Sequence, residues 1–386
     1  MYDSIIVGAG PAGSFLAFLL AQNGFRTLLL DKAVLPRYKT CGGGLPYKTI
    51  RSIPFDLQPV LEVEAKGGRV AYQGRTALKV DFEKPYGWLV MRDRFDAFLV
   101  ERAVAAGAEL ATDTRLVSLR QSDHQVTAET TRGSFSAQTL IGADGVNSLT
   151  ARALDLLPDR LAGAALEAEV EVPQSALLEQ GPYVTFDFGA LPKGYGWIFP
   201  KRDHLSVGVF QAAPGKVVDI RRRLEQYMEW NPLLRKRKIA RLHGHLIPLG
   251  DIPGELHRGR VLLVGDAANL ADAWIGEGIY YALQSARIAS EVIAEALSGG
   301  CMDLSTYSQR VQHLIGKQLA AARGFARLVY WRPKTATKLL SRSRRLQGLL
   351  FSAIRGDLSL QKFSRQFWLQ SPLIILEALS KPESWE

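Results

Sequence analysis

The opening segment, Tyr2–Asp31, limits what this chain can fold into more than any other stretch. Ser4–Val7 is a short apolar run with the character of a buried parallel strand. It breaks at Gly8-Ala9-Gly10-Pro11-Ala12-Gly13, after which Ser14–Gln22 is apolar and helix-forming. Gly24 stops that helix, and a second buried strand, Thr27–Leu30, ends on Asp31. Each part suits a dinucleotide. Gly8 permits a tight turn, and Gly10 leaves no Cβ between the backbone and a pyrophosphate. Gly13 lets the helix pack close to the sheet while its first N–H groups face the anion. Asp31 is placed to accept from ribose hydroxyls. An acid there favours an unphosphorylated ribose, so FAD or NAD over NADP. Glycines alone would mark only a turn. The order strand, glycines, helix, strand, acid within one unit is what carries the reading.

At 386 residues the chain is long enough for two intimately joined domains and a tail. No charged segment precedes an apolar one at the start, so no signal peptide is expected. No apolar run approaches the roughly twenty residues of a spanning helix. Two cysteines, Cys41 and Cys301, make no disulfide scaffold and fit a reducing, cytoplasmic setting. The net charge of +10 is unevenly placed: residues 321–365 hold eleven Lys/Arg and a single acid, Asp357. The rest of the chain balances. Such a run is commonly a solvated helical face. Because Leu328, Tyr330, Trp331, Leu349 and Phe351 are interleaved with it, an anionic membrane surface or an acidic partner is the competing reading. No nucleic-acid motif accompanies the charge.

After Asp31 come Lys32, a turn at Pro36, Arg37, Cys41 and the glycines Gly42, Gly43 and Gly44. This cannot be a regular element, and its glycines let a large planar group approach the backbone. PRYKTCGGGL resembles the P-R-x-K-x-C-G-G-G loop of the geranylgeranyl reductase family of FAD-dependent flavoproteins, which share the p-hydroxybenzoate hydroxylase-like fold. Four further segments are similar to that family in the same order. Arg92–Asp96 matches R-x-x-F-D, where the resemblance places the arginine near the cofactor; a capped surface helix is the alternative. Trp88–Ala105 is expected to be helical. Gly142-Ala143-Asp144-Gly145 follows an apolar strand and resembles a G-A-D-G signature on the flavin side. Tyr195-Gly196-Trp197-Ile198-Phe199-Pro200 resembles the Y-x-W-x-F-P element. Alternation puts Tyr195, Trp197 and Phe199 on one face, as a pocket wall or a core stripe. Gly265-Asp266 and Gly276-Glu277-Gly278-Ile279 resemble the flavoprotein G-D…G-E-G-I element, with Asp266 accepting from ribityl hydroxyls and the helix start facing the flavin.

The departures from the family pattern are Phe210 and Asn269, where glycine is usual, and Ala273, where proline is usual. With Trp274, they bear on the substrate. His243 and His245 share a strand face but have no metal-ligating neighbours, so a structural role is expected and no metal site.

The resemblance implies α/β plus antiparallel β architecture: a Rossmann-like FAD-binding domain (1–60, 91–160 and 250–300), an inserted, mainly antiparallel β-sheet substrate domain (61–90 and 161–249), and a helical, basic C-terminal region (301–386). Within the last region, Gly356-Asp357 and Ser364–Trp368 are expected to interrupt the helices. The resemblance also implies reduction of isoprenoid C=C bonds by hydride from reduced FAD, with NADPH or a ferredoxin as electron donor. An unactivated alkene needs a proton at its second carbon. Cys41 is the candidate donor, or the group that orders a water. A flavin monooxygenase of the same fold is the main alternative, and a non-catalytic flavin-binding redox or lipid-docking protein is the second.

Overall fold

Tyr2–Val7 lies in the middle of an eight-stranded sheet, paired in parallel with Thr27–Leu30 on one side and with the end of Gly133–Gly142 on the other. Val261–Leu263 and Glu109–Ala111 extend the parallel part. Its strands are nearly continuous apolar runs and Ile5, Ile6, Leu29 and Ile141 are fully buried, as expected of a sheet covered on both faces. The helix Pro11–Gln22 packs against Arg92–Ala105 and Ile279–Ser298. In this computed structural model the described residues are all of 1–386 except 157–160, 213–218, 253, 300–301 and 381–386, so Cys301 lies outside them.

The described residues form two compact units. The first comprises 1–39, 92–161 and 247–320 and contains the eight-stranded sheet. The second comprises 40–91, 162–246 and 321–386. Residues 40–60 thus cluster with the second unit, 301–320 with the first and 321–386 with the second, a partition different from the boundaries drawn on sequence.

The second unit is built on a seven-stranded sheet in which Ala162–Glu171, His204–Gln211, Gly194–Pro200 and Tyr183–Asp187 pair antiparallel in turn, as do Gly67–Tyr72 and Arg75–Asp81, while Tyr183–Asp187 runs parallel to Gly67–Tyr72. Leu166, Ala168 and Val170 of Ala162–Glu171 face one way, with Ile198, Leu205, Val207 and Val209. This face is closed by Leu224, Tyr227 and Met228 of the helix Ile220–Trp230. Strand alternation sends Glu167, Tyr195, Trp197, Phe199, Ser206 and Phe210 to the opposite face.

The structure corrects two local expectations and adds two strands. Gly87–Val90 is a strand, and the helix begins only at Arg92. Leu89 and Val90 are buried between the neighbouring strands Gly44–Pro46 and Leu61–Glu64, and these long-range pairings override local helix propensity. Gly133–Gly142 is one continuous ten-residue strand. Leu116–Gln121 is a further strand, hidden from pattern reading because it is largely exposed at an edge. Ser364–Trp368 does not interrupt a helix. It lies inside Leu360–Leu379, where Phe363 and Phe367, one turn apart, are buried and the polar residues turn away. Gly356 does end the preceding helix, in the left-handed conformation.

Candidate active site

In the first unit the glycine turn is shaped by its own surroundings. Gly8 has φ +110°, and a Cβ on it would lie 2.4 Å from the Ala143 carbonyl oxygen. A Cβ on Gly13 would lie 1.9 Å from the Gly8 oxygen. Gly10 differs: a Cβ there would meet only the Arg37 guanidinium, at 3.9 Å. Pro11 and Ala12 open the helix, and Gly10 at its N-cap supplies no side-chain cap. A helix N-terminus, an open glycine and a guanidinium therefore converge where a pyrophosphate would sit, and these residues fit the cofactor.

Asp31 is buried and accepts from Ala9 N–H (2.8 Å) and Ala33 N–H (2.9 Å), with Arg37 at 3.6 Å. Its two oxygens retain lone pairs for a ribose. Arg37 also pairs with Asp96 at 3.2 Å, and Asp96 in turn holds Arg92 through two bonds of 2.8 and 3.0 Å. The R-x-x-F-D element is thus an internal ion pair that steadies Arg37. Lys32 is exposed.

Asp144 accepts from the Ser148 hydroxyl (2.5 Å) and from Leu149 and Thr150, capping the short helix Leu149–Ala153, while Gly145 takes φ +78°. Gly265 lies against Ala12, its would-be Cβ 3.0 Å away. Asp266 sits beside Gly278 at the start of Ile279–Ser298, with a would-be Cβ on Gly278 3.3 Å from its Oδ1. Burial pushes the Asp266 carboxyl up, against the pull of Lys39 and Arg92. Gly276 adopts φ +70°. The loop before it is ordered by Asp272, a residue that sequence reasoning missed. It accepts from Trp274 and Ile275 N–H, both at 2.8 Å, and Trp274 is buried. Asn269 occupies the left-handed conformation (φ +61°), which Asn tolerates, so it takes the backbone shape a glycine would.

In the second unit the aromatic residues meet the glycine loop. Tyr195 and Trp197 lie 6.2 Å apart between ring centroids; Phe186 sits 5.4 Å from both Tyr195 and Phe199. A Cβ on Gly42 would come within 2.8 Å of the Phe199 ring and 3.1 Å of Trp197 Nε1; on Gly44 it would be in ordinary contact with Phe199. Gly43, at φ +70°, has Val90 O and Lys201 Nζ where a Cβ would go. Phe210 is fully buried, 5.4 Å from the Tyr195 ring. Gly208 leaves the room in which the Trp197 indole lies: a Cβ there would be 2.1 Å from that ring.

A polar cluster beneath this loop was not foreseen. Glu167 accepts from the Cys41 backbone N–H at 2.6 Å and from the Ser206 hydroxyl at 2.7 Å, and Trp197 Nε1 donates to Ser206 at 3.2 Å. Lys201, buried, donates to the carbonyls of Gly42 (2.7 Å) and Val90 (2.8 Å). Gly43 N–H donates to Cys41 Sγ at 3.4 Å. Burial pushes the Glu167 carboxyl up and the Lys201 ammonium down. Their signals in sequence were the lysine after Phe199-Pro200 and acids alternating with apolar residues along Ala162–Glu171; neither revealed a partner. His243 and His245 lie on the strand Ile239–Pro248, and no metal-ligating cluster exists among the described residues.

Residues 1–236 match the family described as FAD binding domain. The chain is 32% identical over 375 residues to an uncharacterized protein of Methanosarcina barkeri, covering 97% of this chain and 95% of that one. It is 32% identical to a geranylgeranyl diphosphate reductase of Rhodobacter capsulatus (78% and 76% covered). It is 30% identical to a digeranylgeranylglycerophospholipid reductase of Methanothrix thermoacetophila (82% and 85%). Among solved structures, a geranylgeranyl bacteriochlorophyll reductase-like protein from Thermoplasma acidophilum shares the fold, with TM-score 0.81, 22% identity and 97% and 98% coverage. Matching family, relatives of this identity and a shared fold together make the chain a member of the geranylgeranyl reductase family of FAD-dependent oxidoreductases.

Proposed function

We propose that the chain saturates C=C bonds of an isoprenoid, geranylgeranyl-type chain. The observation that carries this reading is the contact of Trp197 and Phe199 with Gly42, the residue after Cys41, in a row of rings that Tyr195 continues: an aromatic wall for an alkyl chain, next in the chain to a protic sulfur. The names of the relatives support the same substrate class. Reduced FAD, when bound, supplies a hydride. The first unit holds it through Gly8–Gly13, Asp31, Arg37, Asp266 and the Gly276–Ile279 helix start.

Cys41 supplies the proton, directly or through a water, so that hydride and proton together saturate the bond. Its place is fixed from below, because Glu167 holds its backbone N–H and Lys201 holds the next carbonyl. Trp197, kept at one angle by Ser206, excludes water along the chain. Phe210, packed on Tyr195, adjusts the room for substrate. NADPH or a ferredoxin reloads the cofactor. The cationic segment 321–365 meets an anionic membrane surface or an acidic redox partner.

The test is anaerobic. Dithionite-reduced protein is mixed with geranylgeranyl diphosphate, and flavin reoxidation is followed together with product mass. A gain of two hydrogens per bond supports the reading; Cys41→Ala then lowers turnover by about 10²–10⁴-fold with the flavin retained. Flavin that stays reduced until oxygen enters, followed by an oxygenated product, replaces this reading with a monooxygenase.

A further inference from the structure

The last helix, Leu360–Leu379, is apolar on two opposite sides. Phe363, Phe367, Ile374 and Ala378 form its buried side, with Phe363 and Phe367 stacked edge-on to Phe325 of the helix Lys317–Trp331. Roughly half a turn away lie Trp368, Leu369, Leu376 and Leu379, exposed by 63%, 70%, 66% and 76%. An apolar stripe on a helix is ordinarily buried against a partner. Here the outward side is left to solvent.

The surroundings select its occupant. Glu377, on the same helix, accepts from the Ser343 hydroxyl (2.8 Å) and from the N–H groups of Arg344 (3.1 Å) and Arg345 (3.4 Å). It thereby caps the helix Arg344–Arg355 and fixes two exposed arginines at the edge of the apolar stripe. At the other end of the stripe stand exposed Lys362 and Arg365. Not every nearby cation is available: Arg355 is tied to the Pro85 carbonyl at 3.0 Å and to Asp357 at 2.5 Å. An exposed apolar strip bordered at both ends by cations matches the acyl and headgroup layers of an anionic bilayer. A second copy of this face would bring arginines against arginines. No helix among the described residues is long and apolar enough to cross a membrane, so the contact is one of lying on its surface.

We propose that the outward side of Leu360–Leu379 is a bilayer-docking face, with Trp368, Leu369, Leu376 and Leu379 entering the acyl boundary and Arg344 and Arg345 holding anionic headgroups. This deepens the docking reading given above and rests on it only for the charge.

The experiment uses flavin-loaded full-length protein, phosphatidylcholine vesicles with and without phosphatidylglycerol, and sedimentation. Binding is expected only with the anionic lipid, and salt should weaken it. L369S/L376S is expected to lower vesicle affinity about tenfold or more, with the flavin spectrum and far-ultraviolet circular dichroism unchanged. R344E/R345E is expected to lower it for anionic vesicles specifically. Absence of vesicle binding overturns the proposal, as does undiminished binding by L369S/L376S. So does a dimer in solution that L369S/L376S dissolves, because a second copy then covers the face. Turnover of soluble geranylgeranyl diphosphate is read separately. Unsubstituted protein that turns over but does not dock overturns this inference alone, and unsubstituted protein that docks without turnover overturns only the reductase reading.

Discussion

The two faces of the seven-stranded sheet are made from the same strands and obey different rules. One face, closed by Ile220–Trp230, is apolar, with Leu205, Val207 and Val209 fully buried. The other buries just as deeply but carries Glu167, Lys201 and Ser206 among its aromatic residues. Burying a carboxyl and an ammonium is unfavourable, and a well-packed apolar replacement is often as stable or more so. The first face needs only to hold the sheet and its helix together. The second fixes a glycine loop whose backbone cannot fix itself, and polar anchors to Cys41 N–H and Gly42 C=O do that with a direction that apolar packing lacks.

Substitutions on the two faces should therefore separate stability from activity. The largest effect is expected at Phe210→Ala, with about 3–5 kcal/mol of stability lost. Because Tyr195 loses one of its ring neighbours, the chain-length preference of the proposed prenyl reduction should shift as well; denaturant midpoints and product profiles read the two effects. Leu205→Ala on the apolar face should lose about 2–5 kcal/mol, yet leave turnover per folded molecule unchanged. Altered turnover there would erase the contrast between the faces.

Gly208→Ala should lose about 1–3 kcal/mol, since the new Cβ displaces the Trp197 indole. A change in Trp emission and a raised KM should accompany it. Glu167→Gln is expected to be the mildest, within about 1 kcal/mol at neutral pH, and is read by pH dependence. The folded state raises the carboxyl above its ordinary 4.5 and so binds its proton more tightly than the unfolded chain. That stability is fully present below 4.5 and is lost as pH rises through the folded-state value. Glutamine, which mimics the protonated acid, should remove this slope from denaturation midpoints measured across the acid range. A persisting slope would assign it elsewhere.

What the sequence made legible was local. Strand, glycines, helix and Asp31 fall within one short segment, so both the cofactor unit and the alternation of Tyr195, Trp197 and Phe199 could be read directly. What stayed hidden depends on partners distant in the chain. Gly87–Val90 is a strand because 44–46 and 61–64 flank it. Glu167 matters because Cys41 and Ser206 reach it. The unbroken helix Leu360–Leu379 was hidden by the polar residues within Ser364–Trp368, although Phe363 and Phe367 on either side of them anchor one side of the helix. Arg92, expected near the cofactor or on a capped surface helix, pairs with its own Asp96, four residues on.

Asn269 sets a limit on divergence in the loop that leads to Trp274. Its left-handed backbone can be held by glycine, asparagine or aspartate, while a β-branched side chain there would be strained. Asparagine also ties its side-chain amide to the Asp251 carbonyl, a tether that glycine lacks. The substitution thus trades freedom for anchorage without altering the path of the chain: two relatives can differ at this position and still present the same loop, the asparagine version being the stiffer.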